Sequence, residues 1–284
     1  MKLIVSDLDG TFLDSNHEVI EENVAALKVA QSKGIEIAIA TGRNYGNVLA
    51  LCQRAGLKPH VISNNGAFVY DKNGNQIKAI GLDKDHIREA LNWLNYRKYF
   101  YTLCTDHFAY MPANAHTILT RDYENASNHV RKMTPEKLKE GIDVFLTLDS
   151  AVFVNNFNEV LEQDFVFGNI SAITLDDDKL RHGREYFSNY TGMSMTIAGK
   201  DIFEMIHPSA SKGNALEALT AHLDISLDHV MAFGDNYNDI SMLQRVGFSV
   251  AVENAEDDVK KICKYVSLSN DDKGVAYMIH KLLG

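Results

Sequence analysis

The first fourteen residues constrain the fold most strongly, because they lead a short apolar run directly into two aspartates. The run Leu3-Ile4-Val5 is followed by Ser6 and then by Asp7-Leu8-Asp9-Gly10-Thr11. An unbroken apolar run predicts a strand that is buried on both faces, with both carboxylates at its C-terminal end. Ligands of open α/β sheets bind beyond that end of the strands. A hard cation such as Mg²⁺ would offset the repulsion between the two charges.

Composition and charge limit the partners that the protein can have. The chain has 284 residues, and its net charge of −10 argues against a general nucleic-acid or anionic-membrane binder. Cys52, Cys104 and Cys263 lack metal-ligand spacing and are interpreted as buried thiols. With no secretory signal and no apolar run of roughly 18 residues, we expect a cytoplasmic protein, either a monomer or a small homo-oligomer.

Strand and helix patterns alternate over the first eighty residues. Helices are predicted for about 18–32 and 45–55, and strands for 35–40 and 61–63. Such βα repeats indicate a parallel sheet. Asn73-Gly74 then suits the turn of an antiparallel hairpin between strands at 67–70 and 76–80, which interrupts the alternation and marks a domain boundary.

A different pattern extends from residue 82 to residue 205. A helix is predicted for 83–96, and strand-like pieces are predicted at 99–104, 108–111, 143–148, 171–175, 193–197 and 202–206. This mixture is typical of an α+β domain with an antiparallel sheet. The βα alternation returns after Pro208, with helices predicted for 212–223, 236–245, 255–263 and 273–282. The predicted fold is therefore α/β, with a Rossmann-like parallel-sheet core from 1–81 and 206–284 and an inserted domain from 82–205.

Polar residues end the predicted core strands, and the carboxyl ends of parallel strands open onto one edge of the sheet. These residues are Asp7, Asp9, Thr41, Ser63 with Asn64, and Asp235, and Lys212 can approach them from the start of its helix. Three carboxylates, a hydroxyl with neighbouring amides and one ammonium suit phosphoryl transfer. A carboxylate that attacks a dianionic phosphate needs a metal ion and a nearby cation to offset the like charges.

Each of these groups has a predicted role in that chemistry. Asp7 is the predicted nucleophile, forming an aspartyl-phosphate, and Asp9 the predicted general acid and base. The predicted metal ligands are Asp7, Asp235 and the backbone carbonyl of Asp9, with Asp239 orienting them. Lys212 would neutralise charge on the phosphate, whose oxygens would be bound by Thr41, the amides of Leu8 and Gly42, and the Asn238 side chain.

Four stretches resemble the successive motifs of the haloacid dehalogenase (HAD) superfamily, in their usual order. They are Asp7-Leu8-Asp9-Gly10-Thr11, Thr41-Gly42-Arg43, Ser211-Lys212-Gly213 and Gly234-Asp235-Asn236-Tyr237-Asn238-Asp239. The 63–67 stretch, the size of the insert and Gly274-Val275-Ala276 resemble the Cof-type branch, also called subclass IIB. This resemblance implies a Mg²⁺-dependent phosphatase of small phosphorylated metabolites, with sugar phosphates expected as substrates. It also implies that the inserted domain is a C2B-type cap that closes over the site.

Several alternatives remain open at this point. A phosphomutase of the same superfamily would need cap cations for a second phosphate, and Arg88, Arg97, Arg121, Arg131 and Lys132 are candidates. A catalytically silent metabolite-binding protein is the other alternative, because fold does not determine function. Asn64-Asn65-Gly66 is interpreted as a tight turn. Polar groups in 106–123 are predicted to face the leaving group, and His107, His116 and His129 are not interpreted as a zinc site.

Overall fold

A computed structural model describes residues 1–124, 126 and 150–284 of the chain. They form two compact units, Met1–Ala79 with Ser209–Gly284, and Ile80–Pro208. The strand predicted for 143–148 lies outside the described residues, as do His129, Arg131 and Lys132. Among the described helices, none is both long enough and apolar enough to cross a membrane.

The described secondary structure comprises strands and α-helices with the following bounds. The strands are β1 Leu3–Ser6, β2 Glu36–Ala40, β3 His60–Ser63, β4 Phe68–Tyr70, β5 Gln76–Ala79, β6 Phe100–Cys104, β7 Ala109–Pro112, β8 Ala151–Val154, β9 Asn169–Ile173, β10 Ser194–Gly199, β11 Ile202–Ile206, β12 Val230–Gly234, β13 Phe248–Ala251 and β14 Tyr265–Val266. The helices are α1 Glu21–Ser32, α2 Tyr45–Ala55, α3 Lys84–Tyr96, α4 Ala115–Glu124, α5 Phe157–Leu161, α6 Asp177–Ser188, α7 Lys212–His222, α8 Ile240–Leu243, α9 Asp257–Ile262 and α10 Gly274–Leu283.

The first unit is built around an eight-stranded sheet with the order β14-β13-β12-β1-β2-β3-β4-β5. The pairs from β14 to β3 are parallel, and β4 and β5 add an antiparallel hairpin at the edge. Gly74 has φ +85° in the hairpin turn, which explains the glycine there. The predicted parallel-sheet core and its edge hairpin are therefore confirmed.

Strand β1 lies in the middle of this sheet and is buried on both faces. Ile4 packs into one hydrophobic cluster with residues of α1, α2 and α10, whereas Leu3 and Val5 pack into another with residues of α7, α8 and α9. Successive side chains of a strand point to opposite faces, so helices on both faces require an unbroken apolar run.

The second unit contains a six-stranded sheet with the order β10-β11-β9-β6-β7-β8. Its pairs are antiparallel except for β7 with β8, which is parallel. The prediction of an antiparallel sheet is therefore wrong for that pair. The chain between β7 and β8 includes α4, and a connection of that length permits a parallel crossover. Strand β8 was not predicted, although its four residues form the apolar run Ala-Val-Phe-Val, whose side chains are partly buried or exposed.

The helix predicted for 236–245 is also wrong in part. A 3₁₀ turn occupies Tyr237–Asp239, and the α-helix is restricted to Ile240–Leu243. The Asp239 carboxylate accepts the N–H groups of Asp235 and Asn236 (3.0 and 3.1 Å), which holds this segment in a tight turn. Asp176 begins α6, because its side chain accepts the N–H groups of Asp178 and Lys179 and so caps the helix.

Candidate active site

The carboxyl end of β1 places Asp7 at the middle of the sheet edge. Asp7 is 5% exposed, and its backbone N–H donates to the carbonyl of Phe233 in the neighbouring strand (3.1 Å). The chain then turns tightly through Leu8–Phe12, where Gly10 has φ +79°. A Cβ atom on Gly10 would lie 2.7 Å from Oδ2 of Asp235. Only glycine therefore lets this turn approach Asp235 so closely.

Strands β2, β3 and β12 end at the same edge and carry the other predicted residues. The hydroxyl of Thr11 donates to Oδ1 of Asp235 (2.8 Å), which ties the first turn to the end of β12. The Thr41 N–H donates to the Ile62 carbonyl (2.9 Å), so β2 and β3 are aligned where they end. Ser63 is fully buried, and its hydroxyl has no hydrogen-bond partner among the described residues.

Lys212 enters this edge from the first position of α7, which Ser211 caps by accepting from the N–H of Asn214 (3.0 Å). Its ammonium group is buried and donates to Oδ1 of Asp7 and to Oδ1 of Asp239, each at 2.6 Å. Burial alone would lower the pKa of Lys212, but the two carboxylates outweigh it and raise the pKa above its usual value. The ammonium is therefore charged at every physiological pH.

Asp239 holds this arrangement together from a fully buried position. One carboxylate oxygen accepts from Lys212, and the other accepts the backbone N–H groups of Asp235 and Asn236. With both oxygens used in this way, Asp239 is suited to orienting Lys212 and Asp235, while its role toward the metal ligands stays a prediction.

Three aspartates lie close enough together to hold a metal ion. Carboxylate oxygens of Asp7, Asp235 and Asp239 lie within 4.8 Å of one another, and no histidine belongs to this group in the described part of the chain. Burial raises the pKa of Asp7 well above its usual value, and the neighbouring carboxylates add to that effect. Burial and Asp239 raise the pKa of Asp235 to about 7. These crowded, hard oxygen donors fit a divalent cation, which would offset their repulsion.

The Asp9 side chain is partly exposed and is held by Arg43 and His17. The guanidinium of Arg43 donates to both of its oxygens (2.8 and 2.5 Å), and Nδ1 of His17 lies 2.8 Å from Oδ1. Burial would raise the pKa of Asp9, but the hydrogen bonds from His17 and Arg43 outweigh it and hold that pKa well below its usual range. Asp9 is consequently an ionised carboxylate in this structure.

The predicted phosphate-binding residues occupy the neighbouring loops. Thr41 is buried, and its Oγ1 accepts the N–H of Arg43 (3.1 Å). Gly42 follows Thr41, and the Asn238 side chain donates to Oδ1 of Asn65 (3.0 Å). Leu8 is buried directly after Asp7 in the chain.

Sequence reasoning missed four residues that support the site. His17 and Arg43 hold Asp9, and Arg43 was noted only as part of a motif. Asn254 donates to the Gly10 carbonyl (2.8 Å), and Asn270 donates to the Leu13 carbonyl (3.0 Å), so both tie down the turn after β1. Their distance along the chain from that turn leaves no local pattern that could have identified them.

The segment 106–123, predicted to contact the leaving group, lies wholly in the second unit. It comprises the turn after β6, then β7 and most of α4. His107 is half exposed on that turn, and His116 lies on α4. Its role in substrate recognition stays a prediction.

The chain is similar to known proteins both in sequence and in fold. Residues 4–279 match the protein family described as haloacid dehalogenase-like hydrolase. The chain is 35% identical over 285 residues to the phosphatase YwpJ of Bacillus subtilis (strain 168), covering all of both chains. It is 28% identical over 283 residues to the 5-amino-6-(5-phospho-D-ribitylamino)uracil phosphatase YwtE of the same organism, covering 100% of this chain and 98% of that one. A solved haloacid dehalogenase-like hydrolase from B. subtilis superposes with a TM-score of 0.87 at 35% identity, over 99% of this chain and 100% of that chain.

Proposed function

Since the chain belongs to the haloacid dehalogenase-like hydrolase family and is a phosphatase of that family, we propose that it hydrolyses small phosphomonoesters through an aspartyl-phosphate on Asp7. One observation carries this proposal. The buried ammonium of Lys212 bridges Asp7 and Asp239 beside Asp235, at the carboxyl end of the central strand. A structural ion pair would not require three carboxylates to share so small a volume.

Asp7 is the nucleophile in this mechanism. One oxygen of its carboxylate is held by Lys212, which fixes the orientation of the side chain. The other oxygen attacks the phosphorus atom, and the bond from phosphorus to the leaving-group oxygen breaks. Lys212 carries a full positive charge, so it also offsets the charge of the phosphate as the two anions approach.

Asp9 serves as acid in the first step and as base in the second. It donates a proton to the leaving alkoxide. It later accepts a proton from the water that attacks phosphorus, as the bond from phosphorus to the Asp7 oxygen breaks and inorganic phosphate leaves. Its ionised state in this structure is the one required for the second step. To act as the acid, it must first be released from Arg43 and His17 and take up a proton.

The cofactor in this proposal is Mg²⁺, held by Asp7, Asp235 and the backbone carbonyl of Asp9. When bound, the ion would neutralise charge between the phosphate and Asp7. The crowded carboxylates of Asp7 and Asp235, whose pKa values are both raised, offer the hard oxygen donors that such an ion prefers. Thr41, the amides of Leu8 and Gly42, and the Asn238 side chain would bind the phosphate oxygens.

The substrate class proposed is sugar and polyol phosphates. The relative YwtE is named for a substrate with a phosphorylated ribityl chain, and that chain is a polyol. The unit Ile80–Pro208 is proposed to act as the cap domain that contacts the part of the substrate beyond the phosphate.

Phosphate release from a panel of sugar, polyol and other small phosphoesters tests this proposal. Wild type is compared with Asp7→Asn, which keeps the shape of the side chain but removes its charge. We expect release that requires Mg²⁺, stops with a chelator and is absent in the variant. Activity that survives in Asp7→Asn would rule out the nucleophile assignment, and an isomeric phosphate ester without free phosphate would indicate a mutase.

A further inference from the structure

The turn Asn64–Gly66 is a buried segment with an unusual backbone. Its three residues have φ values of +48°, +54° and +95°, and all three are buried. Left-handed backbone is uncommon for residues other than glycine, and consecutive examples are retained where the surrounding structure requires them. The sequence alone suggested an ordinary tight turn, which would be exposed rather than buried.

The backbone of this turn contacts two segments of the proposed site, the loop after β2 and the start of α7. The N–H of Asn65 donates to the Thr41 carbonyl, and the N–H of Asn64 donates to the Arg43 carbonyl, each at 3.0 Å. A Cβ atom on Gly66 would lie 2.2 Å from the carbonyl oxygen of Ser211, the residue that caps the helix of Lys212. The turn therefore packs directly against the start of that helix.

The side chain of Asn65 reaches a third loop. Its Oδ1 accepts a hydrogen bond from Nδ2 of Asn238 (3.0 Å), and its own Nδ2 lies 3.3 Å from the position that a Cβ on Gly42 would occupy. Asn65 thus lies between Gly42 and Asn238, two groups proposed to bind phosphate, and it is 1% exposed.

We propose that Asn65 is a positioning residue of the phosphate site, which acts by fixing the orientation of the Asn238 amide. This inference rests on the proposed function, because it takes Asn238 as a phosphate ligand. The Asn238 amide nitrogen carries two N–H groups. One donates to Asn65, and the other is then directed at a phosphate oxygen. Without Asn65, the amide can rotate, and phosphate binding must include the entropic cost of ordering it.

A double-mutant cycle on phosphate binding tests this role. Asn65→Gly removes the side chain and retains a residue that readily adopts positive φ. Asn65→Asp tolerates the same backbone and keeps an acceptor for Asn238. Each is combined with Asn238→Ala. The first readout is the dissociation constant of inorganic phosphate, measured by calorimetry with Mg²⁺ present. The second is the inhibition constant of inorganic phosphate in the phosphatase assay.

The expected result is that the two side chains act as one unit. In a variant that remains folded, Asn65→Gly should weaken phosphate binding by about threefold to tenfold. Asn238→Ala should weaken it by about tenfold in wild type and in the Asn65→Asp background, but by less than about twofold in the Asn65→Gly background.

Two outcomes would overturn the inference. One is unchanged phosphate binding in a folded Asn65→Gly variant, and the other is an Asn238→Ala effect of the same size in all three backgrounds. If Asn65→Gly does not fold, the test uses Asn65→Asp with and without Asn238→Ala. If Asn238→Ala no longer weakens phosphate binding in the Asn65→Asp background, the positioning role of Asn65 is contradicted. Failure of the proposed function is a separate result, because it would appear as turnover that persists in Asp7→Asn.

Discussion

Removing the ammonium of Lys212 is the most demanding test of the electrostatics described above. Lys212→Met keeps most of the side-chain volume but takes away both 2.6 Å contacts to Asp7 and Asp239. Two carboxylates then remain buried without their cation. Removing one partner of a buried ion pair typically costs about 3–5 kcal/mol, because the remaining charge is uncompensated. We expect the free energy of unfolding to fall by about that amount at pH 7.5 in the presence of a chelator.

The measurement is denaturant unfolding followed by circular dichroism, with two further variants. Lys261→Met is the matched control, because Lys261 pairs with Asp258 on the exposed surface and its loss should leave stability unchanged. Asp7→Asn added to Lys212→Met should restore part of the lost stability, because it removes one of the unpaired buried charges. A Lys212→Met protein as stable as wild type, or a double variant less stable than Lys212→Met alone, would refute this reasoning.

Three further predictions concern the metal site, the general acid and the turn after β1. Burial and neighbouring carboxylates raise the pKa values of Asp7 and Asp235, the latter to about 7, so the metal-free protein should lose stability as pH rises from about 4 through 7. Mg²⁺ should therefore raise the thermal midpoint more at pH 8 than at pH 5.5, and an equal rise at both pH values would contradict this. Arg43→Met removes a cation that lowers the pKa of Asp9, so the limb of the pH–rate profile that reports Asp9 should move to higher pH. If that limb does not move, Arg43 does not control the pKa of Asp9. Gly10→Ala would place a Cβ atom 2.7 Å from Oδ2 of Asp235, in a backbone with φ +79°. We therefore expect the free energy of unfolding to fall by about 1–3 kcal/mol and Mg²⁺ binding, measured by calorimetry, to weaken. Wild-type values for both quantities would show that the turn can relax.

Much of the core could be predicted because its signals are local. The apolar run before Asp7 and the repeated βα pattern indicate buried parallel strands, and the parallel sheet then brings Asp7, Thr41 and Asp235 to one edge. Lys212 follows from the same logic, since it begins a helix after the alternation returns. Predicting the positions of these residues required only the direction of each strand and the order of the elements.

The supporting contacts could not be predicted, because they depend on the exact path of the loops. His17, which contacts Asp9, has a left-handed backbone with φ +61°. Asn254 donates to the Gly10 carbonyl although the two residues are far apart in the sequence. The role of Asn65 was hidden for a related reason, since asparagine and glycine also favour ordinary turns. Its burial, its backbone bonds to the loop after β2 and its side-chain bond to Asn238 distinguish this turn from ordinary ones.

Direct detection of the covalent intermediate tests the central claim most closely. The Asp9→Asn variant is mixed with Mg²⁺ and p-nitrophenyl phosphate, whose leaving group needs no acid, and the reaction is quenched in acid after a short time. Without a base to activate water, the phosphorylated enzyme should accumulate. The account predicts a phosphoryl group on the peptide that contains Asp7 by mass spectrometry, and none in the Asp7→Asn variant. A phosphoryl group on another residue, or turnover by Asp9→Asn at the wild-type rate with no adduct, would contradict it.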